Sequence, residues 1–213
     1  MMDTLKRHKN KFSIFLVWLF HVSALVGITL GQQEWFVTKT PLNLTVMLLL
    51  FLWVYPMDTK KKYGTFLLFM MLGMFAEWIG VHYGVLFGSY AYGANFGPKL
   101  DGIPYLIGVN WALLTFATAA ITKKIVATPI AKVILASLLM LVLDFLMEHT
   151  APLFDFWTFE GGLAGWWNYI CWFLLAAILQ LMLHLFKITG NFRFSLHLYL
   201  AQCVFFGYLY WYL

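Results

Sequence analysis

Asp144, Glu148 and Glu77 are the residues whose type and setting could do chemistry in this chain. Asp144 and Glu148 are four positions apart, so on a helix they share a face, one turn from each other. They stand in the apolar run LVLDFLMEHT, and Glu77 stands in another, FLLFMMLGMFAEW. Ionisable groups inside membrane segments are costly and are usually retained for function. A carboxyl group in dry surroundings can hold its proton near neutral pH and act as a general acid. Two carboxyl groups close together favour one protonated and one ionised member. Aromatic residues bracket all three acids: Tyr90, Tyr92 and Trp111 around Glu77, and Trp157, Trp166, Trp167, Tyr169 and Trp172 around the other two. Aromatic faces stabilise cations in a dry site. Acids beside such walls suit a reaction that passes through a carbocation on a hydrocarbon substrate.

The elements that must position these groups are membrane helices. Of 213 residues, 62% are hydrophobic and 11% charged, against about 45–50% and about 25% in soluble domains. Seven runs approach the roughly 20 apolar residues that a spanning helix needs: 12–31, 41–57, 64–85, 102–122, 129–150, 166–187 and 194–213. Residues 1–11 form a basic tail. It leads into a long first run without a clear small-residue cleavage site, so the run reads as a retained helix. Lysine and arginine cluster at alternate connections: Lys6, Arg7, Lys9 and Lys11, then Lys60, Lys61 and Lys62, then Lys123, Lys124 and Lys132, then Lys187 and Arg193. Only Lys39 and Lys99 fall on the other side. The positive-inside rule then predicts an all-α polytopic protein of seven transmembrane helices, N-terminus cytoplasmic and C-terminus outside. Residues 1–213 read as a single transmembrane domain in the cell (inner) membrane, surrounded by membrane lipid. All three acids fall in the outer half, under the third and fifth connections.

An internal repeat supports a shared site. Glu77 matches Asp144, His82 matches His149, Phe87 matches Phe154, Tyr90 matches Trp157 and Tyr92 matches Phe159. Each half then enters a helix with Asn beside an aromatic, Asn110-Trp111 and Asn168-Tyr169. Helices 3–4 and 5–6 read as two parallel copies, residues 64–122 and 129–187, with a site between them.

Other groups carry less. The net charge of +5 does not indicate nucleic acid, because the basic residues sit in short clusters between apolar runs. Cys171 and Cys203 lie in apolar runs and read as small core residues. His21, His184 and His197 read as packed, hydrogen-bonded histidines. His82 and His149 are either partners of the acids or interfacial residues. There is no HExxH and no pair of histidines at helical spacing, so no metal is expected.

The segments FAEWIGVHYGVLFGSYAYGANFGPKLDGIPYLIGVNW (75–111) and LDFLMEHTAPLFDFWTFEGGLAGWWNYICWF (143–173) resemble the integral-membrane carotenoid biosynthesis family that contains the CruF-type carotenoid 1,2-hydratases and the bisanhydrobacterioruberin hydratase of archaea. The resemblance implies a hydratase, a lyase by class, that adds water across the terminal C1–C2 double bond of a linear carotenoid, with no cofactor. Other enzymes of carotenoid biosynthesis would be its partners. On this basis Asp144 and Glu148 are expected to be the acid–base pair, with Glu77 as third carboxylate. Asn110 and Asn168 would hold water or hydroxyl. Tyr90, Trp111, Trp167 and Tyr169 would line the substrate pocket, with His82 and His149 nearby. The rivals are another membrane lipid enzyme, such as a carotenoid cyclase that traps the same cation by ring closure, a proton-coupled carrier, and a non-catalytic assembly subunit. A carrier would need polar groups in the cytoplasmic halves of the helices, where the sequence shows few.

Overall fold

The computed structural model describes residues 2–188 and 190–213, with side chains from 7 onward. Met1, in the expected tail, and Thr189, in the expected domain, lie outside the described residues. Eight α-helices follow in order: α1 (Met2–Thr29), α2 (Gln33–Val37), α3 (Thr40–Val54), α4 (Lys60–Tyr83), α5 (Tyr105–Ile125), α6 (Pro129–Thr150), α7 (Trp166–Leu185) and α8 (Phe192–Tyr212). The seven apolar runs fall on α1 and on α3 to α8. Two local features differ from expectation. The basic tail is not a separate segment, because α1 already begins at Met2. The first connection contains the short helix α2, which has too few residues to show a period in the sequence.

Five helices are long and apolar enough to cross a membrane: α1 from Arg7, and α4, α5, α6 and α7. The chain therefore has the character of a multi-pass membrane protein. The 15 residues of α3 reach about 22 Å at 1.5 Å per residue, short of a hydrocarbon core of about 30 Å. α8 has 21 residues, but its Arg, His, Gln and Tyr dilute its apolar character.

Helix α5 is the axis of the bundle. It is buried nearly all round, with Trp111, Ala112, Leu114, Phe116 and Ile121 enclosed, as expected of a helix that is apolar on every face. α3, α4, α6, α7 and α8 all pack against it, and α1 packs on α8 and α3. Local signals fix the helix ends. Thr59 caps α4 by accepting from the Lys62 amide at 3.3 Å, and Thr128 caps α6 by accepting from the Ala131 amide at 3.3 Å, with Pro129 at the first helical position. α4 stops at Gly84, which takes the left-handed conformation at φ 63°.

Two short two-stranded sheets lie in the loops. β1 (Tyr90–Tyr92), after α4, pairs antiparallel with β4 (Trp157–Phe159), after α6. β2 (Lys99–Leu100) and β3 (Ile103–Pro104) form a hairpin that leads into α5. In the first sheet Tyr90 faces Phe159, Ala91 faces Thr158 and Tyr92 faces Trp157. Side chains two apart along a strand share a face. This register therefore puts Tyr90, Tyr92, Trp157 and Phe159 on one side, and that side covers the acids.

Candidate active site

Glu77, on α4, and Asp144 and Glu148, on α6, are brought into one pocket. They are 3%, 0% and 6% exposed. Phe87, Tyr90, Tyr92, Trp157, Phe159 and Trp172 wall it, with Ile107 and Asn168 completing the lining. The cavity between them is about 20 Å³, close to the space one water molecule occupies by this measure.

The three carboxyl groups are held differently. Glu77 is satisfied on both oxygens: Trp111 Nε1 donates to Oε1 at 2.8 Å, Tyr92 Oη donates to Oε2 at 2.8 Å, and Tyr90 Oη donates to the same oxygen. Close packing makes this possible. A Cβ at Gly73 would lie 2.7 Å from the Trp111 side chain, and one at Gly80 would lie 2.8 Å from the Tyr90 hydroxyl. Glycine at these two positions lets both rings lie against α4 and reach Glu77. Glu148 accepts from Trp157 Nε1 at 3.0 Å on one oxygen and from Asn168 Nδ2 at 3.3 Å on the other. The same Asn168 nitrogen donates to Asp144 Oδ2 at 3.2 Å. Asp144 Oδ1 is buried with no hydrogen-bond partner among the described residues. A buried polar atom without a partner is uncommon and needs a reason.

Burial, and next the negative charge of Glu77, push the phenols of Tyr90 and Tyr92 well above their ordinary value of 10.0. Both lie in the loop between α4 and α5, and both stay donors across the neutral range. Trp111 and Trp172 stack at 3.8 Å with planes 17° apart and floor the pocket, with Phe87 against both.

Of the residues expected from sequence, Glu77, Asp144, Glu148, Tyr90, Trp111 and Asn168 meet here. Five do not. Asn110 faces a different cavity, because its neighbour Trp111 takes the face of α5 toward Glu77. Tyr169 packs against Phe145, which in turn packs against Tyr210. Trp167 is exposed and donates to the Val85 carbonyl at 2.9 Å. His82 is exposed, with Nδ1 3.0 Å from the Trp78 carbonyl and Nε2 3.3 Å from Asp101. His149 lies over the Tyr210 ring. Asn110, Tyr169, Trp167 and His149 each adjoin a residue that does reach the pocket, and neighbours on a helix point about 100° apart; the exposed His82 fits the interfacial alternative. Tyr92, Trp157 and Trp172 were visible only as members of the aromatic set. The strand register that aims Tyr92 and Trp157, and the stack that holds Trp172, have no signal in the sequence.

The opposite halves of the helices are more polar than expected. Thr115, Thr118 and Thr122 on α5 are buried with Gln180 of α7. The three hydroxyls donate to carbonyls of their own helix, and Gln180 donates to the Thr115 carbonyl at 3.0 Å and to Thr118 Oγ1 at 2.8 Å. These groups are satisfied internally and tie α5 to α7.

A helical bundle with membrane-length helices, carrying buried carboxyl groups under an aromatic roof, defines a membrane protein with a dry acidic pocket. The family model described as carotenoid biosynthesis protein matches residues 38–212. The chain belongs to that family and has a role in carotenoid biosynthesis. No curated protein and no solved structure matches it.

Proposed function

We propose that this protein is a carotenoid 1,2-hydratase, which adds water across the terminal double bond of a linear carotenoid. The observation that carries this is the unpartnered oxygen of Asp144, set beside Glu148 and Asn168 in an aromatic pocket with room for one water molecule.

Asp144, as the acid, gives its proton to the less substituted carbon of the terminal double bond. The π electrons form that C–H bond and leave a tertiary cation on the neighbouring carbon. The faces of Trp172, Phe87 and Phe159 and the Glu77 carboxylate stabilise it. The water oxygen bonds to the cationic carbon, and Glu148 takes the proton that this water releases. One proton is given and one is taken, so the pair recovers its proton count once Glu148 passes its proton back to Asp144. Asn168 holds both carboxyl groups in register for this transfer.

The same proposal includes the membrane arrangement. Seven spans, with the N-terminus cytoplasmic and the acids in the outer half, are supported by the alternation of basic clusters along the helices. A single domain 1–213 with repeats 64–122 and 129–187 is supported by the β1–β4 register. Position 90 pairs with 159 and position 92 with 157, which is the reciprocal pattern a local two-fold axis produces. α4 and α6 also each end six residues beyond the matched acid, at Tyr83 and Thr150.

The test is product mass. The chain is expressed in a bacterium engineered to make lycopene, and its pigments are separated and weighed. A more polar pigment heavier by one water is the expected result. A pigment of unchanged mass with an altered spectrum would replace hydration by cyclisation.

A further inference from the structure

The acid pocket is far too small for a carotenoid, so the body of the substrate must be held elsewhere. A second cavity, of about 370 Å³, lies at the same end of the bundle. This is within the range of small-molecule binding cavities, about 300–1,000 Å³. The C-terminal half of α1, the start of α3, the C-terminal half of α8 and the loops after α4 and α6 enclose it. Its lining is mostly apolar: Phe20, Ile28, Phe36, Leu44, Phe154 and Phe205 are typical. Trp35 and Leu42, more than half exposed, line it at one side and give it an opening.

Two observations make it more than a packing gap. The first is polar. Asn110 is 3% exposed, lines this cavity and makes no side-chain hydrogen bond among the described residues. Asn43 of α3, another lining residue, has a buried Oδ1 without a partner among the described residues. An unpartnered amide and an unpartnered amide oxygen in an apolar chamber are costly unless a ligand supplies their hydrogen bonds. The second is position. The cavity shares a wall with the acid pocket. Met147, which lines the cavity, stands between Asp144 and Glu148 on α6. Phe96, also in the lining, has its ring 6.2 Å from that of Tyr92 and 5.9 Å from that of Trp157.

We propose that this cavity is the chamber for the isoprenoid chain of the carotenoid, and that Asn110 and Asn43 hydrogen-bond a hydroxyl group carried on that chain. The proposal rests on the hydratase assignment for the identity of the ligand. The apolar chain enters between α1 and α3, and its end group passes the Met147 wall to reach the acids. Met147 is unbranched and flexible, and its rotation joins the two chambers. α1 lies before the region matched by the family, residues 38–212, yet it contributes Leu19, Phe20, His21, Ser23, Ala24 and Ile28 to the lining. The length and substitution of the chain accepted are therefore set in part by residues outside the matched region.

The test is equilibrium binding to the purified full chain in lipid nanodiscs, read by quenching of tryptophan fluorescence. The probes are lycopene and its 1-hydroxy derivative. The wild type should bind the hydroxylated chain about tenfold more tightly than lycopene, the factor expected of a hydrogen bond of ordinary net strength. Asn110→Leu, which keeps the volume, should abolish that preference and leave lycopene binding within about twofold. Ala24→Trp, which fills the chamber from α1, should weaken both ligands by more than tenfold while the thermal unfolding midpoint is kept. Asp144→Asn should bind both as the wild type does. A folded Ala24→Trp variant with unchanged affinities would overturn the chamber. An Asn110→Leu variant that keeps the preference, or a wild type that has none, would overturn the hydroxyl contact. The two proposals fail separately: binding with these effects but no hydrated product would sink only the hydratase assignment, and hydration at wild-type KM by Ala24→Trp would sink only the chamber.

Discussion

Glu77 and Asp144 each lie six residues before the end of their helix, α4 and α6, and both are buried, yet they are held in opposite ways. Glu77 accepts from three donors, two phenols and an indole, and neither of its oxygens is free. Asp144 accepts from one amide and leaves Oδ1 without a partner among the described residues. Glu77 is thus fully partnered, while Asp144 has one oxygen left over. Under the hydratase proposal that free oxygen of Asp144 carries the proton, and Glu77 faces the cation. Under that proposal the two positions would carry different tasks, charge stabilisation at Glu77 and proton transfer at Asp144. The difference is made by the aromatic partners more than by the acids.

The sharpest way to break this contrast is to exchange the carboxyl groups for amides one at a time. Asp144→Asn is expected to lower the rate of hydrated product by about 10²- to 10⁴-fold, the usual worth of a positioned general acid, with the unfolding midpoint in detergent little changed. Glu77→Gln is expected to lower the rate by removing the charge that faces the cation and, unlike Asp144→Asn, to lower the stability as well. Its amide offers one oxygen to three donors, so at least one buried donor loses its acceptor, at about 1–3 kcal/mol of stability. Denaturant titration of the detergent-solubilised protein reads that loss. If Glu77→Gln kept full stability and abolished turnover, while Asp144→Asn did neither, the two roles would be exchanged.

A smaller effect sharpens the comparison. Trp157→Phe removes the indole donor from Glu148 and leaves the ring, so Glu148 keeps Asn168 as its remaining donor. A loss of about 1 kcal/mol, or up to tenfold in rate, is expected from one hydrogen bond. Pigment yield under initial-rate conditions measures it. An unchanged rate would mean that Glu148 does not depend on its indole.

How much of this was legible in the sequence differs between helices and loops. The three acids were readable because a charge inside an apolar run is conspicuous and costly. Apart from the start of α1, ten residues before the expected run, and the short α2, the helices were readable to within a few residues, since length and hydropathy depend on composition alone. Tyr90 and Trp111 were readable as neighbours of Glu77 in the repeat. Asn110, Tyr169, Trp167, His82 and His149 lie away from the acid pocket. For the residues next to a pocket residue on a helix the cause is rotation, which decides which of two adjacent side chains faces the site. On α5 Trp111 reaches Glu77, and Asn110 lines the second cavity. On α7 Asn168 reaches the acids, and Tyr169 packs on Phe145 of α6. His82 is exposed, which is the interfacial reading of that histidine. The second cavity had no trace at all. Residues from 19 to 206 build it, and only packing brings α1 and α8 to the loops after α4 and α6.

The last test concerns the donors on Glu77. Burial and the charge of Glu77 hold the phenols of Tyr90 and Tyr92 well above 10.0. In the unfolded chain both phenols release their protons near that value. At these two phenols the folded and unfolded states bind the same protons below about pH 10, so their contribution to the fold is fully present there. As the pH rises past 10 the unfolded state gains by ionising and the fold does not, so stability falls with rising pH, by at most about 1.4 kcal/mol per pH unit for each phenol. Denaturant midpoints measured between pH 9 and pH 11 should drop on the alkaline side. The double variant Tyr90→Phe, Tyr92→Phe should start lower, because Glu77 loses two donors, and should then fall less steeply. Parallel curves for the two proteins would mean that these phenols titrate at their ordinary value and do not hold Glu77 as described. Glu77 would then be no better satisfied than Asp144, and the contrast between the two acids would lose its physical basis.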